Sequence, residues 1–424
     1  MKVSTIHKTT TLNGCLLKNY SNGLQQIRRK SVRFNNMVIP YARQSISKQD
    51  LDAVAKVLQS DYLTQGPVVP AFEEAVADLV GAKYAVAGNS ATSMLHVACL
   101  ALGVTAGDLV WTSPISFVAS ANCALYCGAE IDFVDIDSET FNMSPVALAA
   151  KLEIAKKSNR LPKVIIPVHM GGQSCDMQSI GSLAQQYGIK VIEDASHAIG
   201  GSYNSQRIGN CAYSDITIFS FHPVKIITSG EGGMATTQDE GLAHKMRMLR
   251  SHGITRDETE FESSNDGPWY YEQQELGLNY RLTDIAAALG LSQLQRIDSF
   301  IQQRNSIAAH YDKAFTSTQV AVPHIDANCI SAFHLYIVRC DFENLGLTRV
   351  QLFQKMKDAG VMLNLHYIPI YRQPYFAKMG FDPKTFPNAE RYYEQAFSIP
   401  MYADLSETNQ NTVISSLLNV LSTQ

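Results

Sequence analysis

The sequence has no apolar run approaching the ~20 residues that a helix needs to span a bilayer, which excludes a helical membrane protein. Cysteine is scarce, with eight in 424 residues. None forms a CxxC pair or a metal-ligand spacing, so no zinc site or disulfide framework is expected, and no metal. The closest pair, Cys123 and Cys127, falls in an apolar, helix-like stretch and reads as reduced, core-filling thiols of a cytoplasmic protein. Acidic residues are missing altogether from the first 36 positions, which hold seven basic ones (Lys2, Lys8, Lys18, Arg28, Arg29, Lys30 and Arg33). That leader also lacks the roughly 7–15-residue apolar core of a secretory signal. An acid-free, Arg- and Ser-containing leader resembles an organelle transit peptide; a disordered tail, or a start chosen upstream of Met37, is the plainer reading. The rest of the chain carries 28 basic against 39 acidic residues, and the whole has a pI near 6.3, which gives no reason to expect nucleic acid.

Several site motifs are also missing. There is no GxxxxGK[ST] phosphate loop, no GxGxxG after a strand, no GxSxG elbow and no HExxH. The simplest nucleotidase, dehydrogenase, hydrolase and zinc-protease readings go with them.

What is present is an alternation of helices and short apolar strands from Met37 onward. Ser47 is placed to cap a helix beginning SKQDLDAVAKVLQS, and helical patterns follow over Ala71–Leu79 and Ser90–Leu102. The runs Lys83–Gly88, Leu109–Ser113, Ile131–Asp135, Val164–Val168, Lys190–Glu193 and Ile216–Phe221 are short and largely unalternating, as strands are when helices cover both faces of a parallel sheet. Amphipathic segments such as Met177–Tyr187 separate them. After residue 281 the pattern changes to a nearly continuous helix over Leu282–Gln302. A strand (Ala332–Arg339), a helix (Arg349–Ala359), a strand (Met362–Leu365) and closing helices complete it. The expected fold class is therefore α/β. A large domain over 37–300, with a mostly parallel mixed sheet covered by helices, precedes a smaller C-terminal α+β domain over 301–424.

Three strand ends carry unusual chemistry. Gly88-Asn-Ser-Ala-Thr-Ser93 joins a strand to a helix, where free backbone N–H groups and the helix dipole can bind a phosphate; alone, it reads equally well as an ordinary cap. Val191-Ile-Glu-Asp194-Ala-Ser-His197 delivers a carboxylate and an imidazole to the carboxyl edge of the sheet, where open α/β folds bind ligands. Ile218-Phe-Ser220-Phe-His222-Pro-Val-Lys225 runs into a Gly-rich segment, and its lysine is a candidate buried amine. With Phe117 on an earlier crossover, the three make the inventory of a pyridoxal phosphate site. A lysine forms a Schiff base with the aldehyde, and desolvation helps keep the amine partly deprotonated. An aspartate keeps the pyridine nitrogen protonated, so the ring serves as an electron sink.

On these residues, and on Ser113-Pro-Ile-Ser-Phe-Val-Ala-Ser120, Arg250-Ser-His-Gly253, Leu278-Asn-Tyr-Arg-Leu-Thr-Asp284 and His366-Tyr-Ile-Pro-Ile-Tyr371, the chain from Met37 onward resembles the DegT/DnrJ/EryC1/StrS family of sugar aminotransferases, fold type I pyridoxal phosphate enzymes. Within the family it is most similar to the branch that aminates C4 of UDP-linked 4-keto-6-deoxy-N-acetylhexosamines in pseudaminic acid biosynthesis. The resemblance implies that Lys225 carries the cofactor and then acts as the proton-transfer base, and that Asp194 pairs with the pyridinium nitrogen. It implies that Phe117 and His197 contact the ring, and that Ser90, Ala91, Thr92 and Ser220 bind the phosphate. Asn279 would reach the cofactor phosphate of a neighbouring subunit, making a homodimer with shared active sites. Tyr41, the turn Leu63, Thr64, Gln65 and Gly66, and the run His366, Tyr367, Ile368 and Pro369 would line the UDP-sugar pocket. The implied donor is L-glutamate, leaving as 2-oxoglutarate. Two departures stand out: Leu278 where many relatives carry an aromatic, and Ser229 where Thr is frequent. Neither removes a reacting group.

Three alternatives remain at this point. Sugar dehydratases of the family carry His where this chain has Lys225, which weighs against them. A C4 aminotransferase for another nucleotide 4-keto sugar, of the perosamine or aminoarabinose type, fits the same motifs. A catalytically silent regulatory homologue fits less well, because a 36-residue leader is too short for a helix-turn-helix module and both Lys225 and Asp194 are intact. Arg250 and His252 are candidates either for holding a substrate anion or for bracing a loop. Asp257–Asp266 reads as a mobile loop, with Trp269-Tyr270-Tyr271 beside it.

Overall fold

The computed structural model describes residues 38–422. The basic extension 1–36 and the start at Met37 lie outside the described residues. By contact density the chain divides into Met1–Val38 and Ile39–Gln424, and every described helix and strand belongs to the second unit.

Ser47 caps α1 (Lys48–Leu58) in a reciprocal box: its hydroxyl accepts the Asp50 N–H, and the Asp50 carboxylate accepts the Ser47 N–H. There follow α2 (Val68–Val80), β1 (Tyr84–Gly88), α3 (Ala91–Ala101), β2 (Leu109–Thr112), α4 (Ala119–Tyr126), β3 (Glu130–Phe133), α5 (Pro145–Lys157), β4 (Val164–Ile166), α6 (Met177–Tyr187), β5 (Lys190–Asp194), β6 (Ile216–Ser220), β7 (Gly233–Thr237) and α7 (Glu240–Arg250). The seven strands form one sheet in the order β1-β7-β6-β5-β4-β2-β3. All neighbours are parallel except β7, which runs against both β1 and β6. The carboxyl ends of β1, β5 and β6 therefore share one edge. The expected mixed, mostly parallel sheet with helices on both faces is observed.

The strands are buried on both sides, and successive residues serve different layers. Val86, Ile218 and Ala235 pack with α3, α4 and α7, whereas Ala85, Ala87, Phe219 and Met234 pack with α2 and the helix that follows residue 283. That double burial explains why these runs read as continuous apolar blocks. Strand β7 escaped the sequence reading because Gly-Met-Ala-Thr-Thr has little strand character by itself. Burial in the centre of the sheet decides its structure.

The C-terminal part contains α8 (Asp284–Leu294), α9 (Ile297–Phe315), β8 (Tyr336–Arg339), α10 (Arg349–Asp358), α11 (Pro387–Gln395), β9 (Ala396–Ile399) and α12 (Glu407–Ser422), with β8 and β9 antiparallel. Two expectations need correcting here. The helix expected over 282–302 is broken at Gln295 and Arg296, where Arg296 reaches back to the buried Asp50 at 2.6 Å. Met362–Leu365 is not a strand; it makes a single isolated bridge, Asn364 with Ser398, and the strand opposite β8 is the later Ala396–Ile399.

Asp284 shows how the sequence fixes a turn 218 residues away. Fully buried at the start of α8, its carboxylate accepts the N–H groups of Gly66 and Val68, each at 2.9 Å, while Thr64 bridges to Thr283. Asp284→Ala should leave both donors without a partner and lower the unfolding free energy by about 3 kcal/mol. Denaturant titration monitored by circular dichroism checks this; an unchanged midpoint contradicts it.

Candidate active site

The three strand ends converge on a cavity of about 470 Å³ at the carboxyl edge of the sheet. Of the residues expected in the site, it brings together Ser90, Ala91 and Thr92 from the β1–α3 junction, Phe117, and Asp194 and His197 from the end of β5. Ser220 and Lys225 come from the end of β6, and Tyr41, His366 and Tyr367 complete the group.

Lys225 sits in the β6–β7 loop, which folds onto itself. Phe221 N–H bonds Gly232 O at 2.9 Å, and Phe221 O accepts both the Ser229 N–H and the Thr228 hydroxyl at 3.0 Å. The loop holds Lys225 half-buried. Desolvation pushes its amine down to about 8, against the opposing charge of Asp194. Asp194 is itself buried; its Oδ2 accepts from Ser120 Oγ at 2.6 Å, and its Oδ1 from the Ser196 N–H at 3.1 Å and hydroxyl at 2.6 Å. Oδ2 keeps the capacity to accept one further donor.

Ser90 caps α3 through a reciprocal box with Ser93, leaving the Ala91 and Thr92 N–H groups free at the start of the helix. Strand β7 begins against this turn with Gly233. A Cβ there would lie 2.5 Å from Ala91 N, so only glycine allows the close approach. His197 Nε2 faces the Tyr367 hydroxyl at 3.1 Å, and its Nδ1 is buried without a partner. Burial and the Lys225 charge push His366 down to about 3, and His366 Nδ1 meets Ser398 Oγ at 2.8 Å.

Other expected site residues lie outside this cavity. Leu63, Thr64, Gln65 and Gly66 form the turn held by Asp284, Asn279 is exposed on the segment before α8, and Ile368 and Pro369 follow the cavity-lining Tyr367 without lining it. Arg250 does not line the cavity: its guanidinium pairs with Glu73 and Ala87 O, bracing α2 against β1. The acidic run 257–266 contains a short 3₁₀ turn, and Glu272 accepts the Glu262 and Ser263 N–H groups. Trp269 and Tyr271 are exposed and do not line the cavity. The sequence reading missed Ser120, Ser196 and His334. Ser116 and Ser120, four residues apart with hydroxyls 2.6 Å from each other, were a usable signal, but a lone His334 two residues before an apolar strand was not.

A half-buried amine, a carboxylate with a free lone pair, an orphaned imidazole nitrogen and a helix N-terminus fit a phosphorylated aromatic aldehyde. The comparisons agree. Residues 44–418 match the model of the DegT/DnrJ/EryC1/StrS aminotransferase family, and the chain belongs to that family. It is 39% identical to the spore coat polysaccharide biosynthesis protein SpsC of Bacillus subtilis, over 92% of this chain and 99% of that protein. It is 36% identical to a UDP-4-amino-4,6-dideoxy-N-acetyl-beta-L-altrosamine transaminase of Campylobacter jejuni, over 91% and 98%. Among solved structures it is similar to Helicobacter pylori PseC, an aminotransferase involved in the biosynthesis of pseudoaminic acid, with a TM-score of 0.84 and 30% identity over 91% of this chain and all of that one. The sugar aminotransferase Spr1654 of Streptococcus pneumoniae, described as putative and solved in its PLP form, gives 0.81 at 28% identity over 91% and 98%.

Proposed function

We propose that this aminotransferase uses pyridoxal 5′-phosphate to move an amino group from L-glutamate to C4 of a UDP-linked 4-keto-6-deoxy-N-acetylhexosamine. The observation that carries the reading is the placement of Lys225, with its lowered amine, in one cavity with Asp194 and the open N-terminus of α3. The sugar class is supported by the names of the Campylobacter and Helicobacter relatives.

When bound, the cofactor supplies an aldehyde for the amine and a ring that accepts electrons from the donor's Cα. Lys225 Nζ would hold that aldehyde and, once free, take the proton from Cα of the donor. Asp194 Oδ2 would hold a proton on the ring nitrogen. The Ala91 and Thr92 N–H groups, with the Ser90 and Ser220 hydroxyls, would bind the phosphate, and Phe117 and His197 would bound the ring. Tyr41, His366 and Tyr367, with the 63–66 turn and Ile368 and Pro369, would receive the nucleotide sugar.

The exposed Phe117, Tyr62, Leu63 and Asn279 support a homodimer whose second copy completes the site, with Asn279 reaching the partner's phosphate. Light scattering should give twice the 46.8 kDa chain mass. A division into a large domain over 37–300 and a small one over 301–424 is part of the same reading, and its boundary falls within α9. Among the described residues no helix is long and apolar enough to cross a membrane; the seven described cysteines are all free, as suits a reducing, cytoplasmic location.

Donor and sugar would occupy one cavity in turn, so initial rates should give parallel double-reciprocal lines; intersecting lines would contradict this. Incubation with UDP- and GDP-linked 4-keto sugars plus glutamate, with mass detection of the amino sugar, tests the substrate. Amination of a GDP sugar alone would overturn the UDP assignment in favour of a perosamine-type enzyme.

The lowered amine also gives a pH prediction. Below about 8 the free-amine fraction of Lys225 falls tenfold per pH unit, and above it the fraction saturates. Stopped-flow capture of pyridoxal phosphate by the cofactor-free protein should therefore rise with unit slope up to about pH 8 and level off. A rate still climbing past pH 9 would show an ordinary lysine.

A further inference from the structure

Two ring nitrogens in the cavity wall are buried without a partner among the described residues, Nδ1 of His197 and Nδ1 of His334. His334 is 2% exposed and His197 4%, and their ring centroids lie 4.5 Å apart at a 46° tilt. His197 has its Nε2 contact with Tyr367, whereas no hydrogen bond reaches either ring nitrogen of His334. Burying an imidazole nitrogen without a partner is unfavourable. Two such atoms on touching rings point to a polar ligand or a shared bridging oxygen.

The surrounding structure is built to bring these rings together. Gly172, at φ +115°, lies between the two segments. A Cβ there would stand 2.7 Å from Phe333 N, 3.0 Å from His197 O and 3.1 Å from His334 N. From α9, the buried Arg304 guanidinium donates to Phe333 O at 3.0 Å and His334 O at 3.4 Å, fixing the backbone that carries His334. Neither residue touches the cavity, and both serve the approach of His334 to His197.

We propose that His334 is a positioning residue for the aminotransfer site. Acting on His197 through an oxygen shared by the two unpartnered Nδ1 atoms, it sets the plane of that imidazole, and with it the His197–Tyr367 pair in the cavity wall. The proposal rests on the reading of the cavity as a pyridoxal phosphate site. Burial, and then the neighbouring Lys225 charge, hold both imidazoles well below their usual range. The other titratable groups facing the pair are Tyr367, whose hydroxyl meets His197 Nε2, and His366, His169 and Arg304. The pair is thus neutral when the cofactor binds and can both donate and accept a hydrogen bond.

The test uses purified full-length protein reconstituted with pyridoxal phosphate. It reads the cofactor dissociation constant and the pH midpoint of the visible absorbance band. His334→Phe keeps a ring in place without nitrogens, and His334→Asn keeps a polar group near Nδ1. The expected result is a dissociation constant raised about tenfold or more in H334F, with the midpoint moved by about half a pH unit or more, and values within about threefold of wild type in H334N. A packing role alone predicts the reverse order, so a wild-type-like H334F would overturn the proposal. If H334F does not fold, H334L takes its place: weakened binding in H334L with near-normal H334N supports the role, and equal binding refutes it. Wild-type protein that binds no cofactor at all would instead sink the reading of the cavity, a result distinct from either.

Discussion

Lys225→Ala should lose turnover by at least about a thousandfold and lose the visible absorbance of the cofactor-bound protein together with it. Strand β6 is buried at every residue, and the loop beyond it is closed by Phe221 and Gly232, so Lys225 emerges at the sheet edge half-buried instead of free in solvent. Desolvation brings its amine down to about 8, within reach of neutral pH. Among the described residues no other lysine lines the cavity, so no described neighbour can replace it. Soluble alkylamines added to K225A should restore part of the lost rate if proton transfer is the missing function. Retention of both the band and the activity would refute the assignment of Lys225.

Asp194→Asn should reduce turnover by about a hundredfold or more while the cofactor remains attached. The side chain is held on both oxygens, by Ser120 on one side and by the Ser196 backbone and hydroxyl on the other, so an amide of the same shape keeps the fold. It cannot supply the negative charge that keeps a proton on a ring nitrogen, and it turns one acceptor into a donor facing Ser120 or Ser196. The predicted signature is a large fall in kcat with a modest change in cofactor affinity. A fall in affinity with kcat intact would mean that Asp194 only anchors the β5–α4 contact.

The candidate reacting groups are legible in the sequence because each stands at, or a few residues beyond, the end of a strand whose apolar run is unmistakable. Asp194 follows Val-Ile-Glu, and Lys225 follows Ile-Phe-Ser-Phe-His-Pro-Val. Strand β7 was not legible, since a glycine, a methionine and two threonines become a strand only through burial between β1 and β6. The break between α8 and α9 was hidden for a similar reason: it depends on Arg296 meeting Asp50, 246 residues earlier. Arg250 could be read from sequence as an anion ligand or as a brace, and only the position of Glu73 decides for the brace. His334 and Gly172 were invisible as site residues because their meaning lies in contacts across the cavity wall, which no local pattern encodes.

Borohydride reduction of the cofactor-loaded protein, followed by digestion and peptide mass spectrometry, tests the centre of this account most directly. The account predicts one pyridoxyl adduct per chain, on the peptide containing Lys225, and its absence when excess glutamate is added before reduction. An adduct on any other lysine, or none on a protein that is folded and loaded, would contradict it.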